Sequence, residues 1–163
     1  MIERRNPYRK TRALPVGHLG YPLPEIAREL PEVTAQLEHG EREFLYHLPL
    51  LVNGDDIGNR GDGGSATLFA LSLKQHELPG HVYTVDCYDD VERRQYVRER
   101  AAIGVLERIT LVHATTREAK AILKDKSFSL LFIDADHSYE HCHEDVQQYQ
   151  GLVPSTGYLA FHD

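Results

Sequence analysis

Phe132-Ile133-Asp134-Ala135-Asp136-His137-Ser138-Tyr139-Glu140 is the stretch on which the reading of this chain turns. An apolar run from Phe128 to Ile133 stops abruptly in acids and a histidine, and a helical pattern takes over from Ser138 to Tyr149. The same event recurs where the run Gly157 to Phe161 ends in His162-Asp163. In an open parallel sheet, ligands and chemistry collect outside the carboxyl ends of the strands. Two such ends side by side would bring Asp134, Asp136, His137, His162 and Asp163 to one rim.

Upstream the same alternation continues. Ile109 to Val112 reads as a strand and Thr116 to Leu123 as a helix, while His81 to Val85 is a strand ending at Asp86 and Val91 to Ile103 a helix stopped by Gly104. Leu48 to Ile57 reads as the first strand, Gly58 to Gly64 as a turn, and Ser65 as the cap of a helix running to Glu77. Strands alternating with helices over short connections predict βαβ units and an α/β fold, a doubly wound, mostly parallel sheet covered on both faces. The alternation stops on a strand, so the sheet is expected to be open at the Phe161 edge, which also offers a site for pairing into a homo-oligomer.

Ahead of this, residues 1–40 read as an irregular leader, with Pro7, Pro15, Pro22, Pro24, Gly17 and Gly20, that turns helical from Pro24 to His47; residues 41–163 form the domain. With 163 residues, 41% apolar and 26% charged, the chain is long enough for one domain with a real core. Its net charge of −7 argues against nucleic acid as the main partner, and Arg4, Arg5, Arg9, Lys10 and Arg12 read as a basic tail. No apolar run approaches the roughly 20 residues that span a bilayer, no signal peptide is visible, and Cys87 and Cys142 are too few for a disulfide framework. The expected location is cytoplasmic.

Three motifs carry chemistry. The turn from Asp56 to Ser65 joins a strand to a helix, and its glycines, Gly58, Gly61, Gly63 and Gly64, allow positive φ and close approach of a ligand to a helix N-terminus. Asp86 ends the next strand some twenty residues on, where a carboxylate accepts both hydroxyls of a ribose. The acidic cluster at Asp134 and Asp136 suits a hard cation such as Mg²⁺. His137 and His141 have zinc-helix spacing but lack the accompanying glutamate, and Tyr139, Cys142, Val146 and Tyr149 share one helical face that reads as core.

Taken together, the glycine turn, Thr84-Val85-Asp86, Phe132 to Glu140 and the terminal Phe161-His162-Asp163 resemble the class I S-adenosylmethionine-dependent methyltransferases, closest to the branch with the macrocin-type and cephalosporin-pathway O-methyltransferases. The resemblance covers roughly residues 40–163 and implies a Rossmann-like domain that lacks the C-terminal strands of the full fold. It implies that Asp56, Gly58, Gly61, Gly63, Gly64 and Ser65 hold the methionine end of S-adenosylmethionine and Asp86 its ribose. It further implies that Asp134, His162 and Asp163 ligate a divalent cation, with Asp134 and His137 catalytic and His137 the base that deprotonates a small-molecule hydroxyl. Asn53, Gly54 and Asp55 interrupt the first strand, Asp62 sits in the loop, and His113 to Thr116 replaces the usual adenine-reading acid. An NAD-dependent oxidoreductase would share the turn and Asp86 but leave the rim acids without a role. A shortened, non-catalytic nucleotide-binding domain is the remaining alternative.

Overall fold

The computed structural model describes residues 39–52, 56–60, 63–87, 89–134 and 138–162. Helix α1 (His39–Leu51) leads into β1 (Ile57–Arg60), α2 (Gly64–Gln75) and β2 (Val82–Asp86). Then follow α3 (Asp90–Ala102), β3 (Ile109–His113), α4 (Thr116–Ile122), β4 (Leu130–Ile133), α5 (Tyr139–Tyr149) and β5 (Tyr158–Phe161). The five strands form one sheet in the order β3-β2-β1-β4-β5, and all four neighbouring pairs are parallel. This is the doubly wound α/β arrangement expected from the alternation.

Burial explains why these segments pair as they do. All four residues of β4 are buried, and they alternate between two cores. Leu130 and Phe132 join Leu45, Leu48, Leu68, Phe69 and Leu73 from α1 and α2. Leu131 and Ile133 join Leu123, Val146 and Tyr149 from the opposite layer. A strand covered on both faces needs a continuous apolar run, which is what Leu130 to Ile133 supplies. Between the layers, helix starts are capped by side chains: Asp89 with Glu92 for α3, Thr115 with Glu118 for α4, and Ser138 for α5.

The structure corrects the start of the domain. Leu48 to Leu51 do not begin a strand; they finish α1, whose Leu45 and Leu48 are buried against α2. A short apolar run does not distinguish helix from strand by itself, and Pro49 sits in the last turn, where its missing N–H costs the helix one bond. The first strand is therefore Ile57–Arg60, so Gly58 lies inside it and not in the turn. On α5 the expected core face is only half realised: Val146 and Tyr149 are buried, but Tyr139 is 77% exposed and stacks on His143.

At the edge, β5 pairs only with β4 among the described residues, and Tyr158 and Phe161 are 40% and 47% exposed. No described helix is long and apolar enough to cross a membrane. The basic run at residues 4–12, like the rest of the leader before His39, lies outside the described residues.

Gly58 has a packing reason. A Cβ there would sit 2.7 Å from Leu131 Cδ1 and 3.0 Å from Phe128 Cδ2. Gly58→Ala is expected to lower unfolding free energy by about 1–3 kcal/mol, the usual cost of overpacking. Chemical denaturation checks this, and a mutant as stable as the parent contradicts the packing role.

Candidate active site

The order β3-β2-β1-β4-β5 places the switch in winding direction between β1 and β4. Ligands in such sheets bind outside the carboxyl ends at that point. Register decides who stands there: Arg60 is paired with Val85 on one side and Ile133 on the other, and Ile133 with Phe161. The residues that follow these positions are Asp86, Asp134 and His162. Three strand ends thus converge on the loop that joins β1 to α2.

That loop ends at Gly63, whose φ of 88° and ψ of −2° are left-handed, so a glycine is required there. Helix α2 starts at Gly64, and its first-turn N–H groups lie at the rim, the end of a helix that favours an anion. Thr67 donates from both its N–H and its hydroxyl to the Gly63 carbonyl, at 3.1 and 2.8 Å.

Under the loop runs a buried polar bridge. Asn59 Nδ2 donates to Thr84 Oγ1 at 3.0 Å, and Ser65 Oγ donates to Asn59 Oδ1 at 2.9 Å. It ties β1 to β2 and to the first turn of α2. Asp86 is partly buried; its Oδ1 accepts the Cys87 N–H at 2.7 Å and its carbonyl accepts the Ala114 N–H at 3.1 Å, which fixes the end of β2.

On the other side of the switch point, His162 N–H donates to the Ile133 carbonyl at 3.1 Å, extending the β4–β5 ladder by one residue. This holds the imidazole beside Asp134, with Nδ1 3.2 Å from Asp134 Oδ1. Nε2 lies 2.9 Å from Glu41 Oε1 on the first turn of α1. The hydrogen bond to Glu41 raises the His162 pKa above the ordinary imidazole value; burial opposes this, and the charges of Asp134 and Glu41 add to it.

Several expected site residues fall elsewhere. Asp56 stands before β1 at the amino end of the sheet, where its carboxylate accepts the His81 N–H at 3.1 Å, so it is removed from the carboxyl-end rim. Gly58 is in the middle of the sheet. Ser65 is buried with its hydroxyl turned to Asn59, and the cap of α2 is Gly63. His162 presents Nδ1 to Asp134 and is held at Nε2 by Glu41. Among the described residues no cluster of histidine, cysteine and acids is arranged to hold a metal ion. Gly61, His137 and Asp163 lie outside the described residues. Sequence reading missed Asn59, Thr84 and Glu41; the Asn59–Thr84 and Glu41–His162 contacts span 25 and 121 positions and leave no local signal.

This parallel sheet, with a left-handed glycine loop at its switch point and an acid ending β2, defines the fold of the class I S-adenosylmethionine-dependent methyltransferases. The chain belongs to the methyltransferase domain family, whose model matches residues 59–163. No curated protein sequence matches it. Among solved structures it is similar to a candidate caffeoyl-CoA O-methyltransferase from Staphylococcus aureus, with 19% identity, a TM-score of 0.66, and 83% of this chain against 63% of that one. An O-methyltransferase from Bacillus cereus in complex with S-adenosylhomocysteine gives 16% identity, a TM-score of 0.65, and 82% against 63%. The O-methyltransferase TomG from Streptomyces achromogenes, in complex with S-adenosylmethionine, gives 15%, 0.65, and 83% against 64%. The chain therefore spans less than two thirds of each of these relatives.

The His162 contacts have a pH signature. A pKa raised on folding stabilises fully below the unfolded value of about 6.5, and that contribution disappears as pH rises through the folded value. The melting-temperature gap between the parent and Glu41→Gln is expected to be larger at pH 5.5 than at pH 8.5. A gap that is constant or grows with pH refutes the ion-pair assignment.

Proposed function

We propose that the domain is an S-adenosylmethionine-dependent methyltransferase acting on a hydroxyl of a small molecule. The observation that carries this is the convergence of the Gly63 loop, Asp86 and Asp134 at one switch point. The loop and the start of α2 suit the amino-carboxylate end of the cofactor, and Asp86 suits the ribose hydroxyls across β1. When bound, S-adenosylmethionine supplies an electrophilic methyl group that an acceptor oxygen takes by in-line displacement. Family membership and the ligands of the B. cereus and TomG relatives support this cofactor over NAD, which would leave Asp134 and His162 idle.

In this reading Asp134 borders the acceptor side of the cleft and His137 takes the hydroxyl proton. Glu41 and Asp134 hold the His162 ring in place beside that cleft. In this reading the transfer of the hydroxyl proton to His137 needs no protein-held cation. Turnover of a competent acceptor that survives EDTA agrees with this, whereas loss restored by added Mg²⁺ contradicts it. The macrocin-type branch is compatible with the same site.

Calorimetry with S-adenosylhomocysteine and NAD tests the cofactor. Losing a charge-assisted hydrogen bond costs roughly 1.5–3 kcal/mol, so Asp86→Ala should weaken S-adenosylhomocysteine binding by about tenfold or more. Unchanged affinity, or tighter binding of NAD by the parent, overturns the reading.

A further inference from the structure

Arg100 is 3% exposed, although it comes from α3, a helix with only one other buried residue, Tyr96. Its guanidinium lies 3.8 Å over the Tyr96 ring and pairs with Glu99 Oε2 at 2.6 Å. The remaining donors cross to the next element: Nε donates to Thr67 Oγ1 at 2.9 Å and Nη2 to the Gly63 carbonyl at 3.2 Å. A long cationic side chain is seldom buried this far unless every donor is placed. Here its three nitrogens are placed on Glu99, on Thr67 in the first turn of α2, and on Gly63 at the end of the loop after β1.

The consequence is local and directional. The Gly63 carbonyl now receives three donors, the Thr67 N–H, the Thr67 hydroxyl and Arg100 Nη2. Thr67 Oγ1 also accepts from Arg100, so the three groups close a ring that resists rotation of one peptide unit. Because that peptide is trans, pinning its carbonyl toward the body of α2 turns the Gly64 N–H the opposite way, toward the rim. A left-handed glycine is the residue whose backbone most easily turns, and Arg100 adds to the Thr67 bonds that keep it in one orientation.

We infer that Arg100 is the positioning residue for the half of the site that takes the amino-carboxylate end of the cofactor, a role that rests on the cofactor reading above. It acts through Gly63 and not on the ribose side, where Asp86 stands across β1. Arg100→Lys keeps the charge and loses the fork. Thr67→Val removes the hydroxyl that links the two, and Thr67→Ser restores it.

Two ligands separate the halves: S-adenosylhomocysteine carries the amino-carboxylate end, and 5′-methylthioadenosine lacks it. By calorimetry, Arg100→Lys is expected to bind S-adenosylhomocysteine about tenfold or more weakly while 5′-methylthioadenosine stays within about twofold. Thr67→Val should lose affinity in the same selective way, and Thr67→Ser should match the parent. If Arg100→Lys does not fold, as judged by its melting transition, Thr67→Val against Thr67→Ser decides alone. Parent-like binding of S-adenosylhomocysteine by the variants, or equal loss of both ligands, overturns the role of Arg100 while leaving the cofactor reading intact. A parent protein that binds neither ligand overturns the cofactor reading and this role with it.

Discussion

At the centre of the sheet, β1 is hydrogen-bonded in parallel to β2 on one side and β4 on the other. Because every pairing has the same sense, every carboxyl end faces the same rim, and the connections from β1 and from β4 leave in opposite directions. The gap they leave is the candidate site. Asn59, one residue before the end of β1, locks this geometry with an amide that reaches Thr84 and Ser65. A buried amide is costly without partners and rigid with them. The loop after β1 therefore starts from a fixed platform.

Charge is distributed around that platform with some order. Asp86 and Asp134 are acids at two strand ends, while the buried Arg100 lies beneath the glycine loop and His162 beside Asp134. Arg100 is engaged by the Glu99 carboxylate, and His162 by those of Glu41 and Asp134. Neither is left as a buried unpaired charge, the arrangement that would cost most. Glu41 belongs to α1, so the helix that precedes the sheet contributes directly to the rim as well as covering one face of the core.

The glycines show how one composition can conceal two jobs. In the sequence, Gly58 to Gly64 looks like one ligand loop. In the fold, Gly58 is a spacer between β1 and the Phe128–Leu131 side chains, whereas Gly63 supplies a left-handed turn under a helix start. Asp56 was similarly misplaced, because moving β1 to Ile57–Arg60 carries Asp56 to the far end of the sheet. The shift has a plain origin: Leu48 to Leu51 are apolar enough for either a strand or a buried helix end.

The sequence by itself determined the α/β class, the parallel sheet, and the acids at the ends of β2 and β4. Periodicity, burial patterning and abrupt polarity changes are local properties, and Phe128 to Glu140 carries all three. Tertiary structure alone decided that His162 meets Glu41 across 121 positions, that Arg100 reaches Gly63 across 37, and that Asn59 meets Thr84 across 25. Such contacts depend on strand order and register, and neither is encoded in the spacing of the residues that make them. The rim acids were legible because each ends its own strand; their partners were not, because each is brought from another element by the packing of the whole sheet.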